Sequence, residues 1–189
     1  MLHRVGEFEK VSFEQFCNAM KDEFFEKLAE SLGNSDEDGF EDGFKEFIKD
    51  MYDKIKLPVR STSGSAGNDF KAPFTFSLDP GTTIKIPTGI RVKIDEGWWL
   101  ACLPRSGHGF KYRIQLDNTM GVIDSDYYYS DNEGHIFAKI TNDGKEGKTL
   151  RIEAGDGFLQ AIFIPYGVTY SDNVENVRNG GMGSTDEKK

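Results

Sequence analysis

From Leu57 onward the chain alternates apolar and polar residues in short runs, each closed by a turn residue, and that rhythm admits few architectures. Phe74-Thr75-Phe76-Ser77-Leu78 alternates and meets the turn Asp79-Pro80-Gly81. Ile84-Lys85-Ile86 and Ile90-Arg91-Val92-Lys93-Ile94 alternate again, separated by Pro87-Thr88-Gly89. Trp98 to Leu103 is apolar throughout, as a strand buried on both faces would be, and Phe137 to Ile140 and Leu159 to Ile164 continue the series. Short strands between Gly, Pro and Asp turns predict a mainly β domain built as a jelly roll or barrel.

The first 55 residues follow a different period. Phe13, Phe16, Cys17, Met20, Phe24 and Leu28 recur at helical spacing, and Phe40, Phe44, Phe47 and Met51 repeat it. Ser12 with Gln15 three residues later is a capping-box signature, Gly33 a C-cap, and Asn34 to Asp38 an acidic turn. The expectation is a helical hairpin whose phenylalanine stripe packs on the next domain or a neighbouring subunit. A docking module for a protein partner is the alternative.

Charge narrows the function classes. Of the net −9, residues 1–50 supply −8, from 14 acidic and 6 basic side chains. The remainder is nearly neutral, so there is no basic surface to neutralise a nucleic-acid backbone. No run reaches the roughly 18 apolar residues of a membrane span, and the N-terminus lacks the pattern of a secretory signal. Cys17 and Cys102 form no metal-binding or redox spacing. A cytoplasmic protein with free thiols is expected.

Several segments carry chemistry. Gly121-Val122-Ile123-Asp124-Ser125-Asp126-Tyr127 places a carboxylate and an aromatic ring three residues apart at a strand end, which in a hairpin sets an acid and a flat ring on one pocket wall. Arg105 in Pro104-Arg105-Ser106-Gly107 offers a guanidinium fork for phosphate oxygens, with a hydroxyl and an approachable backbone beside it. Asn118 carries the acceptor and donors that a uracil edge needs. Asp69 either supports a metal-bound water or pins a turn, and Gln160, polar in an apolar strand, either meets ligand or ties a neighbouring backbone. The Gly180-to-Thr185 tail could fold over a triphosphate. Each of these segments, alone, also has an ordinary structural explanation.

Their order is specific. Ala66-Gly67-Asn68-Asp69-Phe70, Pro104 to Gly107, Gly121 to Tyr127, Gly155-Asp156-Gly157-Phe158-Leu159-Gln160 and Gly180 to Thr185 resemble, in sequence, the five motifs of the trimeric dUTP pyrophosphatase (dUTPase) family over about residues 54–186. The resemblance implies three parts: an N-terminal helical extension (1–53), a dUTPase-like β jelly roll, a distorted barrel (54–177), and a Gly-rich tail that closes the site (178–189). It implies a homotrimer with shared sites. The third motif would come from one subunit, the first, second and fourth from a neighbour, and the fifth from the remaining chain.

The implied reaction is hydrolysis of dUTP to dUMP and pyrophosphate, with Mg²⁺ held mainly by the triphosphate and waters. Asp124 would activate the water, with Asp69 (an indirect metal ligand) and Gln160 in support. Tyr127 would pack on the deoxyribose and exclude a 2′-hydroxyl. Asn118 and the backbone from Gly121 would read the base, and Arg105, Ser106 and Gly107 would hold phosphates. Met182, Gly183, Ser184 and Thr185 would close over the nucleotide, with Arg178 assisting.

The sequence departs from the family pattern in places: Asn68 stands where a tyrosine is usual, Met182 where an aromatic ring covers the base, and Arg178 sits one residue nearer the glycine pair. Tyr128 to Gly134 lengthens the segment after Tyr127. Two other functions fit less well. A dCTP deaminase on the same fold would need a glutamate after the later core strand, where Phe137 to Asn142 has none. A regulatory protein on the same scaffold would use the N-terminal helices as its docking face.

Overall fold

A computed structural model describes residues 2–25, 37–176 and 178. Twelve strands and three α-helices are present among them. The N-terminal segment contributes β1 (Gly6–Lys10), α1 (Phe13–Met20), a π-helical turn (Lys21–Phe25) and α2 (Glu37–Lys54). The β domain follows as β2 (Val59–Arg60), β3 (Asn68–Lys71), β4 (Phe76–Leu78), β5 (Thr83–Pro87), β6 (Ile90–Ile94) and β7 (Trp98–Pro104). After α3 (Ser106–Tyr112) come β8 (Ile114–Leu116), β9 (Gly121–Ile123), β10 (Phe137–Asn142), β11 (Leu150–Ile152) and β12 (Gly157–Pro165). No helix among the described residues is long and apolar enough to cross a membrane.

All named strand pairs are antiparallel. The largest sheet runs β2-β3-β12-β7-β9, and smaller sheets are β5-β10-β8, β4-β11 and β1-β6. Alternation sets which side chains face inward: in β6, Ile90, Val92 and Ile94 are buried, and in β10, Ala138, Ile140 and Asn142. With Phe70, Leu100, Phe158 and Leu159, the apolar ones among them form one core between the sheets, as the sequence rhythm predicts for a jelly roll.

The N-terminal expectation needs three corrections. Residues 6–10 are not helical: β1 pairs with β6 in register Phe8↔Val92, which places Phe8 edge-on to Phe70 at 5.6 Å in the β-domain core. Glu37 and Asp38 belong to α2 rather than to a preceding turn. The inward face of α2 carries Phe44, Ile48, Met51 and Tyr52, while Phe47 points outward at 53% exposure. Leu28, Gly33 and the turn from Asn34 to Asp36 lie outside the described residues.

The stripe on α1 does pack inward, as expected. Phe16 and Met20 join Phe44 and Ile48 in a second core, and Phe24 meets Phe74 of the β domain edge-to-face at 5.2 Å. Ser12 caps α1, its hydroxyl accepting from the Gln15 N–H at 3.1 Å. The box is only half formed, because the Ser12 N–H donates to Glu133 rather than to Gln15.

Candidate active site

Two pockets collect the site residues of the described chain, and β7 connects them. On one side, a cavity of about 390 Å³ is lined by Asn118, Gly121, Asp124, Tyr127 and Arg178 together with Phe137 and Lys139. On the other, a polar pocket of about 330 Å³ is lined by Asp69, Arg105, Ser106, Gly107 and Gln160, with Ser61, Gly67 and His108. The two linings share no residue.

The local fold explains the first pocket. The turn Asp117 to Met120 reverses the chain, closed by a bridge between Leu116 and Thr119, and β9 then runs antiparallel to β7 with Cys102 opposite Gly121 and Leu100 opposite Ile123. The acid and ring therefore follow a strand end and line one cavity, as the sequence reading expects, with a 3₁₀ turn rather than a hairpin carrying the ring. Asp124 follows β9 in extended conformation and leads into a 3₁₀ turn, Ser125–Tyr129, that carries Tyr127 back onto the same cavity. Tyr127 is buried, its hydroxyl donating to the His135 carbonyl at 2.8 Å and accepting from Asn132 Nδ2 at 2.8 Å. That leaves the ring itself as the pocket surface, and burial raises its pKa above the ordinary phenol value.

Asp124 is paired. Arg178 Nη2 donates to Asp124 Oδ2 at 2.5 Å while its Nε donates to Asp126 Oδ1 at 2.9 Å. The guanidinium also lies 5.9 Å from the Tyr127 ring centre. Arg178 thus stands on the acid and ring of its own chain rather than free for a phosphate. At 21% and 47% side-chain exposure the pair is open enough for a ligand to displace it at small cost.

In the second pocket the arginine is held from two sides. Arg105 Nη1 donates to the Gly157 carbonyl at 2.9 Å, and Nε lies 3.4 Å from Asp69 Oδ1. Asp69 also accepts from the Ser61 hydroxyl at 2.8 Å. Gln160 faces Asp69 across the β3–β12 ladder, and its amide donates to the Pro104 carbonyl at 3.0 Å. Gln160 therefore ties a neighbouring backbone and lines the pocket at once. Ser106 and Gly107 open α3, a short helix that the sequence reading left unassigned.

Sequence reasoning passed over two residues here. A Cβ built on Gly157 would lie 2.7 Å from Arg105 Nη1, so the guanidinium occupies the space that the missing side chain leaves. His108 lines the same pocket, and burial and then the Arg105 charge hold its pKa below the ordinary imidazole value. Its signal was adjacency alone, one residue past Arg105-Ser106-Gly107. Met182, Gly183, Ser184 and Thr185 lie outside the described residues.

Comparison with known proteins points to one family. A family model described as dUTPase matches residues 53–186. The deoxyuridine 5′-triphosphate nucleotidohydrolase of Lactococcus lactis is 40% identical over 134 residues, covering 69% of this chain and 88% of that relative. The enzyme of the same name from Shewanella amazonensis is 43% identical over 115 residues, 59% of this chain and 71% of the relative. Among solved structures, the dUTPase from Streptococcus mutans superposes with a TM-score of 0.53 at 36% identity, over 60% of this chain and 88% of that one. With a mutant dUTPase from phage phi11 of S. aureus, described as coordinating a structural Mg(II) ion, the likeness is one of fold: TM-score 0.52 at 23% identity, over 65% and 91% of the two chains.

Proposed function

The chain belongs to the dUTPase family and is a dUTP diphosphatase, and from that premise we propose that it works by attack of an Asp124-activated water on the α-phosphorus, in sites shared between subunits of a homotrimer. One observation carries the reading. The acid-and-ring pocket, which reaches β7 at Cys102, and the arginine pocket, built on the Arg105 that follows β7, are both present in one chain with no residue in common. Neither is complete alone. A nucleotide with its base and sugar against Asn118 and Tyr127 meets phosphate-binding groups only if a second copy supplies them.

The chemistry follows from the parts. Asp124 takes a proton from the water as its oxygen bonds to the α-phosphorus, and the bond to the α,β-bridging oxygen breaks, releasing pyrophosphate. The reaction lowers dUTP and supplies dUMP. The Tyr127 ring packs on the deoxyribose and leaves no space for a 2′-hydroxyl. Asn118 and the backbone from Gly121 read the uracil edge, and a mismatched base leaves their donors and acceptors unpaired. Arg105, Ser106 and Gly107 hold phosphate oxygens, with Gln160 and Asp69 keeping the arginine and its loop in place. Arg178 leaves Asp124 when nucleotide arrives, and Met182, Gly183, Ser184 and Thr185 close over it.

Magnesium fits this donor set. Among the described residues there is no group of three or more His, Cys, Asp and Glu that could hold a metal ion. An ion bound through the triphosphate and its own waters needs none, and Asp69 is placed to orient one such water. When bound, Mg²⁺ neutralises triphosphate charge as pyrophosphate leaves. The residues divide into an extension (1–53), the catalytic β domain (54–177) and the closing tail (178–189), in a cytoplasmic enzyme whose thiols, Cys17 and Cys102, are free.

Incubating the purified chain with dUTP and Mg²⁺ and measuring dUMP and pyrophosphate tests the mechanism. Asp124→Asn is expected to lower kcat by ~10²–10⁴, the usual worth of a positioned acid–base group. Turnover equal to that of the wild type would remove Asp124 from the role.

A further inference from the structure

The extension after Tyr127 and the N-terminal segment have so far no part in the reaction, yet they meet. The carboxylate of Glu133 accepts from the Ser12 N–H at 2.7 Å and from the Ser12 hydroxyl at 2.5 Å. Ser12 is the cap of α1, so one carboxylate fastens the start of the helix to the loop behind the nucleotide pocket.

That loop is built tightly around Tyr127. The Ser130 N–H donates to the Tyr127 carbonyl at 3.0 Å, the Glu133 N–H to the Ser130 carbonyl at 2.8 Å, and the His135 N–H to the Asn132 carbonyl at 3.0 Å. Gly134, at φ +67°, has no room for a side chain: a Cβ would lie 2.8 Å from the Tyr127 carbonyl oxygen. The same loop supplies both partners of the Tyr127 hydroxyl, Asn132 and the His135 carbonyl.

Glu133 itself is strained. Its φ of +57° is left-handed, where a Cβ crowds the following carbonyl oxygen. Such a residue persists where its surroundings hold it, and here Ser12 does so. Two further ties brace the same wall from the N-terminal segment. Glu9 accepts from the Tyr128 hydroxyl at 2.9 Å, and Glu23, on the π-helical turn, pairs with Lys85 at the cavity lining.

We propose that Glu133 is a positioning residue for sugar selection: fastened to Ser12, it fixes the turn whose Asn132 side chain and His135 carbonyl hold Tyr127 against the deoxyribose, so the N-terminal helix sets the rejection of ribonucleotides. The proposal rests on the reading that Tyr127 meets the sugar. A ring held at one end by two hydrogen bonds cannot withdraw to admit a 2′-hydroxyl. Once its partners are loosened, it can.

The experiment is the ratio of kcat/KM for dUTP over UTP, measured on the full chain. Glu133→Asn keeps a residue that tolerates left-handed backbone but is too short to span to Ser12. It is expected to lower the ratio about tenfold, through KM rather than kcat. Glu133→Gln, of full length, should recover part of the loss. Ser12→Ala should move the ratio in the same direction, and the double variant should add little to Glu133→Asn, as coupled partners do. A helix-docking role without sugar selection would lower the melting temperature and leave the ratio alone. Tyr127→Ala separates the layers. If it collapses the ratio while Glu133→Asn and Ser12→Ala preserve it, the proposal is overturned and the role of Tyr127 stands. If Tyr127→Ala preserves the ratio, the role of Tyr127 fails and the proposal fails with it.

Discussion

Arg105 and Asp124 flank the same strand at opposite ends. Arg105 follows the last residue of β7, whereas Asp124 continues β9 past the Leu100↔Ile123 pair, level with Trp99. About six strand residues separate those levels, roughly 20 Å at ~3.3 Å per residue. A carboxylate at one end cannot serve a phosphate held at the other. Mixing inactive Asp124→Asn chains with inactive Arg105→Ala chains, under conditions that exchange subunits, should therefore restore activity. With random assembly of equal amounts, about a quarter of the sites receive an intact acid from one chain and an intact arginine from another. Turnover by the mixture, compared with each variant alone, reads the result, and a mixture as inactive as its parents would count against sites shared in this way.

Gly157 serves Arg105 by leaving space. Its backbone is not left-handed, so alanine costs little in conformation, but the added methyl would fall 2.7 Å from the guanidinium. Arg105 must then leave the Gly157 carbonyl and swing away from Asp69. Gly157→Ala is expected to raise KM for dUTP about tenfold or more, a loss of at least ~1.4 kcal/mol of binding, with a small change in melting temperature. Steady-state kinetics and a thermal melt on the same preparation check both halves.

The sequence revealed the site by the order of its motifs and the fold by period. Alternation located β6 and β10, which each have one face on a core, and apolar runs located β7 and β12. Neither said anything of β1, where Gly6 to Lys10 carries a single aromatic, Phe8, and the strand exists because β6 offers an edge to it. Phe47 was misplaced because the spacing 40, 44, 47, 51 and the face through 44, 48, 51 and 52 differ by one small rotation, and only the partner surface chooses between them. The division of the site into two pockets was legible only through family resemblance. The tie between Ser12 and Glu133 spans 121 positions and has no periodic signature, so the loop after Tyr127 could not be explained without coordinates.

Phe16 on α1 and Phe47 on α2 predict opposite outcomes. Phe16 is fully buried, 5.9 Å from Tyr52 and 6.3 Å from His135 between ring centres, and so joins the N-terminal helices to the β domain. Phe16→Ala should cost about 3–5 kcal/mol, the range for deleting a buried aromatic ring. Phe47, half exposed, has no such packing to lose. Phe47→Ser should change stability by no more than ~0.5 kcal/mol. Chemical denaturation of both variants checks the contrast. A large loss from Phe47→Ser would mean that the outer face of α2 is covered in the assembled protein.

His135 makes stability depend on acid in a direction that can be stated. It is fully buried, and its Nε2 accepts from the Gly89 N–H at 2.8 Å, so that nitrogen carries no proton. Burial, with the nearby Lys85 charge, pulls its pKa down to about 3. An imidazole in the unfolded chain titrates near ~6.5. Between those values the unfolded chain binds a proton that the folded one refuses. The stabilising contribution is complete above pH ~6.5 and drains away as pH falls towards 3, at up to ~1.4 kcal/mol per pH unit. His135→Gln keeps a side-chain acceptor for the Gly89 N–H but has nothing to protonate. It should be less stable than the wild type at pH 7.5, where the imidazole packs 4.4 Å from Phe137, and lose less between pH 6.5 and 4.5. Unfolding free energies at the two ends of that window give the difference in slope. Equal slopes would show that the imidazole protonates in the folded protein, and with it that the loop over Tyr127 opens to solvent in acid.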